Sequence, residues 1–286
     1  MPQTVLITGA STGLGRATAK LFQQFGWNVV ATMRNPSDGA ELSARERVLV
    51  TQLDVEDDAS IVSAIEAGIT RFGSIDVFVN NAGFGAFGPL EAASIETIRR
   101  QFDVNVIGVL RTMQAILPHF RKRRAGTIIN VSSTSGRITL PFGSLYHASK
   151  YAVEGATEAL QYELAPLGIA VKLIEPGAIR TDFAGRSMAF SNDPELAEYQ
   201  PLLEAAMGTY GALTGAGSEP EQIAHVILTA ATDDTATLRY VAGDDAVQML
   251  QERAAAVDDL FFAKVRSQFG LPSEAVLRAR ASASDE

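Results

Sequence analysis

Short apolar strands alternate with longer amphipathic helices along this chain, and that alternation constrains the fold more than any other feature. Runs rich in Val, Ile and Leu lie at 4–8, 28–33, 47–53, 75–80, 127–132 and 170–175, with a weaker run at 238–242. Helical spacing is found between them, at 16–25, 59–72, 95–120, 151–164 and 221–231. Such continuous apolar runs are typical of strands buried on both faces. The sequence therefore predicts a doubly wound α/β fold, with a single parallel sheet of about seven strands and helices on both faces.

The composition sets the domain organisation and excludes several kinds of partner. A chain of 286 residues, 47% of them hydrophobic, can bury one large core, so we predict a single domain over 1–277 and a flexible polar tail at 278–286. The net charge of −9 disfavours nucleic acid, and the lack of cysteine excludes thiolate chemistry. No apolar run is long enough for a membrane span and no leader pattern is seen, so we predict a cytoplasmic protein.

A glycine-rich segment, TGASTGLG at 8–15, connects the first strand to the first helix. Glycines at this place let the backbone turn tightly and approach a pyrophosphate, while the helix N-terminus supplies amide donors and a favourable dipole. Glycines alone would indicate only a turn, but the position between strand and helix predicts a dinucleotide site. The predicted cofactor contacts in this segment are Gly9, Ser11, Thr12, Gly13, Leu14 and Gly15.

A second pattern, Tyr146-x-x-x-Lys150, places a phenol and an ammonium on one face of a helix. A free phenol has a pKa of about 10, and a nearby cation favours the phenolate. Ser133, at the end of the fifth strand, can hydrogen-bond a substrate oxygen. Tyr and Lys at this spacing are common on surface helices, but together with Ser133 and the glycine segment they indicate a catalytic site.

In this combination the chain resembles the classical short-chain dehydrogenase/reductase family, from the TGxxxGxG segment to about residue 182. The resemblance implies a Rossmann fold and a metal-free catalytic set of Asn105, Ser133, Tyr146 and Lys150. In that set Tyr146 exchanges the substrate proton, Ser133 orients the carbonyl, Lys150 lowers the pKa of Tyr146 and holds the nicotinamide ribose, and Asn105 anchors a water.

The same resemblance implies further cofactor contacts at positions that follow strands. Asp54 would contact the adenine, Asn81 the ribose region, and Ile179 and Thr181 the nicotinamide carboxamide. The remaining positions that match the family are Val55, Ala82, Gly83, Pro176 and Gly177, together with Tyr146 and Lys150.

Arg34 decides the predicted choice of cofactor. An acidic residue about 20 residues beyond the glycine loop would hold the ribose hydroxyls of NAD(H), whereas an arginine accommodates the 2′-phosphate of NADP(H). Arg34 occupies this place and Ser11 can add a hydroxyl donor, although Thr12 stands where some relatives that bind NADP have a basic residue. We predict NADP(H), with NAD(H) as the alternative.

The segment 182–217 has no clean periodicity and is too long for an ordinary connection, so we predict a substrate-binding lid. Apolar residues expected around the site are Phe84, Phe87, Leu140, Phe142, Phe183, Met188 and Phe190. They favour a lipophilic small molecule, and the sequence resembles the hydroxysteroid and retinol dehydrogenase branch of the family. We predict hydride transfer between NADP(H) and a secondary alcohol or ketone, with a hydroxysteroid, a retinoid and an aryl ketone all left open as the substrate.

Other interpretations are an NADP(H)-binding redox sensor without turnover, an NAD(H)-preferring dehydrogenase, or an isomerase or dehydratase. The presence of both Tyr146 and Lys150 disfavours the sensor. Broad apolar faces on the helices at 95–120 and 146–165 predict a homodimer or homotetramer.

Overall fold

The computed structural model describes residues 2–273, so the tail predicted at 278–286 lies outside the described residues. The strands are β1 (Thr4–Ile7), β2 (Asn28–Met33), β3 (Val48–Gln52), β4 (Val77–Asn80), β5 (Gly85–Phe87), β6 (Gly126–Val131), β7 (Ile169–Pro176), β8 (Met188–Phe190) and β9 (Arg239–Ala242). The helices are α1 (Gly13–Gln24), α2 (Ala40–Ser43), α3 (Asp58–Phe72), α4 (Ile95–Phe102), α5 (Gly108–Arg123), α6 (Ser144–Leu164), α7 (Phe183–Arg186), α8 (Gln200–Gly215), α9 (Pro220–Thr232), α10 (Asp244–Ala255) and α11 (Asp258–Gln268).

The main sheet has seven parallel strands in the order β3-β2-β1-β4-β6-β7-β9. This confirms the predicted doubly wound fold, and each predicted strand is present with its ends within about two residues. The strand order reverses between β1 and β4. In such sheets ligands bind beyond the carboxyl ends of the strands, at the point of reversal.

Alternate strand residues face two separate apolar layers, which is why each strand is apolar throughout. Val5 and Ile7 of β1 lie in the layer that α1 and α9 cover, whereas Leu6 lies in the layer that α3, α5 and α6 cover. Each fully buried side chain of this kind contributes roughly 1.5–3 kcal/mol to stability. The two layers hold the carboxyl ends of the strands in fixed positions.

A third, smaller apolar cluster lies outside the sheet. Ile138, from the segment after β6, packs with Ala206 of α8 and with Phe261, Val265 and Phe269 at the C-terminal end of the described chain. This cluster anchors α8 and α11 beside the carboxyl end of the sheet. In the part of the chain that the structure describes, no helix combines the length and apolar character needed to cross a bilayer.

Three local features differ from the sequence predictions. The predicted helix at 95–120 is interrupted by a π-helical turn at Asp103–Ile107. The segment 182–217 contains the 16-residue helix α8, whose alanines and glycines give little contrast between its faces. Strand β8 of this segment also pairs in parallel with β5 to form a second, two-stranded sheet. Both β5 and β8 have only three residues, too few for a detectable pattern.

Candidate active site

The glycine loop between β1 and α1 has the shape that a pyrophosphate requires. Gly9 and Gly13 have φ values of +68° and +51°, in the region that favours glycine. A Cβ on Gly15 would lie 2.4 Å from the Gly9 carbonyl oxygen. Thr12 caps α1 without a side-chain hydrogen bond, so the amides of the first turn point into the crevice. These residues fit the phosphates of a dinucleotide cofactor.

Thr8 and Asn81 hold this loop in place. The Thr8 hydroxyl accepts hydrogen bonds from the backbone amides of Asn81 and Ala82, each at 3.0 Å. The Asn81 side-chain amide donates to the carbonyl oxygens of Thr8 at 2.8 Å and Gly9 at 3.2 Å. The Asn81 side chain therefore supports the loop, and its contact with the ribose stays a prediction. Sequence reasoning did not assign Thr8 a role.

The other predicted residues of the adenosine side follow β2, β3 and β4. Arg34 is exposed and, among the described residues, forms no ion pair, so its guanidinium is available to a phosphate. Asp54 Oδ1 accepts the Glu56 amide at 3.1 Å. Val55 is buried, and Gly83 faces Asn105, whose Oδ1 would be 3.1 Å from a Cβ at that position.

Ser11 and Thr12 are partly exposed on the loop, while Leu14 points into the core and supports the loop from below.

The turn after β7 closes the nicotinamide side of the crevice. Thr181 Cγ2 would be 3.4 Å from a Cβ on Gly13, so this turn lies against the glycine loop. Ile179 forms an isolated β-bridge with Ser218. The Pro176-Gly177 turn is held from the C-terminal region, because Asp245 Oδ2 accepts the Ala178 amide at 2.7 Å. Gly177 is required here, since a Cβ would lie 2.1 Å from that oxygen.

Ser133, Tyr146 and Lys150 meet at the carboxyl end of β6. The Ser133 hydroxyl donates to the Pro176 carbonyl oxygen at 3.4 Å and accepts the Ser135 amide at 3.1 Å. Lys150 Nζ donates to the Val131 carbonyl oxygen at 2.9 Å and lies 5.7 Å from the centre of the Tyr146 ring. The three functional groups can therefore contact one small molecule.

Burial dominates the electrostatics of this group. It raises the pKa of Tyr146 to about 12, an effect that the nearby Ser133 hydroxyl opposes. Burial also lowers the pKa of Lys150 to about 8. Lys150 was expected to lower the pKa of Tyr146, but in the protein alone the desolvation of the phenolate dominates and the pKa is raised. Tyr146 is therefore protonated at neutral pH and suited to donate a proton.

Asn105 lies in the π-helical turn and is almost fully buried. Its Oδ1 accepts the Phe84 amide at 3.0 Å, and its Nδ2 donates to the Phe84 carbonyl at 2.7 Å and to the Ser149 hydroxyl at 3.2 Å. Gln101, four residues earlier, also donates to Phe84 O and Ser149 Oγ. Asn105 and Gln101 thus fix the start of β5 to α6, between Tyr146 and Lys150. Gln101 was not predicted, because it follows Arg99 and Arg100 in a polar helix and nothing in the sequence marks it as buried.

Aromatic rings from distant segments form the wall beside Tyr146. The Phe87 ring centre lies 5.4 Å from that of Tyr146, and Phe183 lies 6.2 Å from it on another side. Tyr210 packs 5.7 Å from Phe87, and Phe269 packs 5.2 Å from Tyr210. A continuous set of rings therefore joins the catalytic tyrosine to the C-terminal cluster. Tyr210 and Phe269 lie beyond the family resemblance and were not predicted.

The other apolar residues expected around the site have different contacts. Phe84 packs against the Arg100 guanidinium, 5.6 Å from its ring centre. Phe190 lines a separate cavity of about 450 Å³ with Leu203 and Met207. Met188 pairs with Gly85 between the two small strands.

Leu140 and Phe142 line a second cavity, of about 470 Å³, together with His147. His147 is buried there. Its Nε2 accepts the Leu140 amide at 3.0 Å, and its Nδ1 lies 3.2 Å from the Ser135 carbonyl oxygen. His147 therefore orders the segment between β6 and α6, and burial lowers its pKa.

Comparison with known proteins agrees with this geometry. Residues 3–191 match the family described as short chain dehydrogenase. An uncharacterized oxidoreductase of Schizosaccharomyces pombe is 43% identical over 244 residues, which cover 84% of this chain and 100% of that protein. Human 17-beta-hydroxysteroid dehydrogenase type 1 is 34% identical, with 87% and 80% covered, and human retinol dehydrogenase 8 is 36% identical, with 69% and 68% covered.

Solved structures show the same fold, and two of those compared below have a nicotinamide cofactor bound. A short-chain dehydrogenase from Streptomyces avermitilis has a TM-score of 0.78 at 33% identity, with 88% of this chain and 92% of that chain covered. A 3-ketoacyl-(acyl-carrier-protein) reductase from Brucella melitensis, complexed with NADH, has a TM-score of 0.71 at 27% identity, with 84% and 96% covered. ElxO with NADP bound has a TM-score of 0.69 at 26% identity, with 84% and 98% covered. The chain belongs to the short-chain dehydrogenase/reductase family and is an oxidoreductase that uses a nicotinamide cofactor.

Proposed function

We propose that this protein transfers a hydride between NADP(H) and a lipophilic secondary alcohol or ketone, with Ser133, Tyr146, Lys150 and Asn105 as its catalytic set. The observation that carries the proposal is the approach of Ser133, Tyr146 and Lys150 between the glycine loop and an aromatic wall. Such a site can bind an apolar body beside Tyr146 and direct its carbonyl oxygen towards the two hydroxyl groups.

The catalytic residues have distinct roles in this proposal. When bound, the cofactor supplies or accepts the hydride. In the direction of reduction Tyr146 donates its hydroxyl proton to the substrate oxygen, and its raised pKa keeps that proton in place until negative charge develops. Ser133 donates a hydrogen bond to the same oxygen, and Lys150 places a positive charge beside the phenol. Asn105 fixes the backbone between them.

The cofactor would lie along the carboxyl ends of β1, β2, β4 and β7. Its phosphates would contact the amides of the glycine loop, its adenosine would lie near Asp54 and Val55, and its nicotinamide would lie near Ile179 and Thr181. The remaining residues proposed to border it are Ala82, Gly83, Pro176 and Gly177. This arrangement is supported by the approach of Thr181 to Gly13.

Arg34 supports NADP(H) over NAD(H), because its exposed guanidinium, which forms no ion pair within the described chain, can bind the 2′-phosphate. We expect Arg34→Ala to raise the KM for NADPH about tenfold or more, since a hydrogen bond to a charged group is worth about 1.5–3 kcal/mol. The KM for NADH should stay unchanged. Arg99→Ala, at another exposed arginine, is the matched control. Equal effects of Arg34→Ala on both cofactors would contradict this assignment.

The aromatic wall supports a lipophilic substrate, and two relatives are named for a hydroxysteroid and retinol. We propose that 182–217 acts as a lid, because its strand β8 pairs with β5 beside Phe87. A panel of steroid, retinoid and aryl ketones, assayed by the loss of NADPH absorbance, tests the substrate class. Binding of NADPH without turnover of any ketone or alcohol would instead favour a redox sensor.

We also propose that the protein forms a homodimer or homotetramer. Tyr151, Tyr162 and Gly155 are exposed along one side of α6 around Glu158, and the two tyrosine rings offer apolar area to a second copy. Sedimentation velocity of the wild type and of Tyr162→Glu would test this, since a charge at the interface should yield monomers. We propose the cytoplasm as its location, which cell fractionation would test.

A further inference from the structure

A cluster of ionisable side chains lies behind Lys150, away from the aromatic wall. Glu154 follows Lys150 by one turn of α6, and Glu175 lies near the end of β7; they are 4% and 0% exposed. Arg239 Nε, from β9, is 3.0 Å from Glu154 Oε2 and 3.2 Å from Glu175 Oε1. Two buried carboxyl groups therefore share one N–H group.

The positive charges around the cluster are divided unequally. Glu175 Oε1 also contacts Arg137 Nη1 at 2.9 Å. Arg239 Nη2 contacts Glu158, a more exposed residue on the outer side of α6. Among the described residues, Glu175 thus contacts two arginines, whereas Glu154 contacts one, which it shares with both other glutamates. Of the two buried carboxyl groups, Glu154 therefore has fewer arginine contacts to compensate a negative charge.

Three buried oxygen atoms in the same region lack a hydrogen-bond partner within the described chain: Ser132 Oγ, Glu154 Oε1 and Glu175 Oε2. Ser132 and Glu154 approach the same point, because a Cβ on Gly136 would lie 2.8 Å from Ser132 Oγ and 2.7 Å from Glu154 Cγ. A buried carboxylate oxygen without a donor is costly. Protonation turns one carboxyl oxygen into a donor and lowers that cost.

Burial and the neighbouring negative charge also favour the protonated form of Glu154. Burial raises the pKa of Glu154, and the negative charge of Glu175 raises it further. Ser132 and Arg239 lower the pKa of Glu154 and so oppose this shift, although the Ser132 hydroxyl makes no well-formed hydrogen bond within the described chain. Glu154 also affects Lys150. Burial lowers the pKa of Lys150, and the negative charge of Glu154 raises it.

We propose that Glu154 is a positioning residue that holds a proton at neutral pH and releases it at alkaline pH, where its charge then keeps Lys150 positively charged. The inference rests on the proposed catalytic role of Lys150. Without this compensation, burial alone would neutralise Lys150 as the pH rises. The charged and titratable groups that face Glu154 are Lys150 and Glu158 on α6, Glu175 on β7, Arg239 on β9 and Arg137 in the segment after β6.

Infrared spectroscopy tests the proton directly and needs neither cofactor nor turnover. At pH 7 the wild type should show a carbonyl stretching band of a buried carboxylic acid, and the band should disappear as the pH is raised. Glu154→Gln should lack the band at every pH. Glu163→Gln, at an exposed glutamate of the same helix that forms no ion pair within the described chain, should retain it. Absence of the band from the wild type at pH 7 would overturn the proposal, whether or not Glu154→Gln folds.

The pH profile of kcat/KM tests the link to Lys150. We expect Glu154→Gln to keep wild-type activity at pH 7 and to lose activity about one pH unit earlier on the alkaline side, because an adjacent opposite charge shifts a pKa by about one unit or more. Glu163→Gln should follow the wild type. Superimposed profiles of Glu154→Gln and the wild type, or a large loss at pH 7, would overturn the link. If the infrared band is present but no variant turns over substrate, the proposed function fails instead.

Discussion

The cofactor side of the active-site crevice is formed by the backbone, whereas its substrate side is formed by side chains. On the cofactor side the contacts come from backbone shape, with Gly9, Gly13 and Gly15 held by Thr8 and Asn81. On the substrate side they come from aromatic side chains of four separate segments: Phe87, Phe183, Tyr210 and Phe269. Backbone shape tolerates almost no change, whereas a wall of side chains can be altered one ring at a time.

Tyr146 contacts both the aromatic wall and another member of the catalytic set. Its ring packs against Phe87 and Phe183, and Lys150 Nζ, which donates to the Val131 carbonyl oxygen, lies 5.7 Å from its centre. Cofactor binding and substrate choice should therefore respond to separate substitutions, whereas the rate of the chemical step should respond to substitutions in the catalytic set. Substitutions on each side test that separation.

Tyr146→Phe should lower kcat about 10³-fold, because a positioned general acid contributes about 10²–10⁴-fold to a rate. The ring and its packing remain, so the dissociation constant of NADPH should change little. Steady-state kinetics and fluorescence titration of NADPH measure the two quantities. Tyr162→Phe, at an exposed tyrosine on the same helix, is the control. Substantial activity in Tyr146→Phe would place the acid elsewhere.

Gly15→Ala should weaken cofactor binding by about tenfold to a hundredfold. The added Cβ would meet Gly9 O at 2.4 Å and Asn81 Nδ2 at 2.5 Å, and overpacking of this kind costs about 1–3 kcal/mol. Titration with NADPH measures the effect. Gly155→Ala, in a helix where a Cβ would meet nothing within 4 Å, should bind as the wild type does. Normal binding by Gly15→Ala would show that the loop is less constrained than its backbone indicates.

Phe87→Ala should raise the KM for aryl or steroid ketones about tenfold and leave the KM for NADPH unchanged. The substitution removes a ring that packs against both Tyr146 and Tyr210, and an aromatic pair contributes about 0.5–1.5 kcal/mol beyond its burial. Phe190→Ala, in the same small sheet but at a different cavity, is the matched control. If Phe190→Ala had the larger effect, the substrate would bind in that other cavity.

His147 gives the smallest predicted effect, on stability. Burial lowers its pKa in the folded protein, so the unfolded chain binds more protons below its ordinary pKa of about 6.5. The contribution of His147 is therefore complete above that pH and is lost as the pH falls. We expect the free energy of unfolding to decrease by about 1 kcal/mol more from pH 7 to 5 in the wild type than in His147→Gln.

Urea denaturation measures this difference, and His225→Gln, at an exposed histidine, should keep the wild-type pH dependence. Equal slopes for the wild type and His147→Gln would show that the histidine stays solvated.

The sequence was most informative at positions where the backbone geometry or burial allows only one type of residue. Strands buried on both faces leave continuous apolar runs, and the glycines at 9, 13 and 15 are fixed by φ angles and close contacts. The fold and the glycine loop could therefore be predicted. The Tyr146 and Lys150 pair could be predicted because a helix brings positions i and i+4 together.

The substrate side could not be predicted to the same depth, because its contacts depend on tertiary packing. Tyr210 and Phe269 reach the site only through the cluster of α8 and α11, and Asp245 reaches the Pro176-Gly177 turn from more than 60 residues away. Leu140 and Phe142 were expected around the site. In the structure they line the cavity beside His147 and pack against the same cluster as Tyr210.

Transfer of deuterium tests the central proposal most directly. NADPH labelled with deuterium at the transferred position of the nicotinamide would be incubated with a lipophilic ketone, and the product would be analysed by mass spectrometry. The proposed function predicts an alcohol that carries one deuterium on its carbinol carbon, formed by the wild type and not by Tyr146→Phe. An alcohol without deuterium, or cofactor binding with no product from any ketone in the panel, would contradict it.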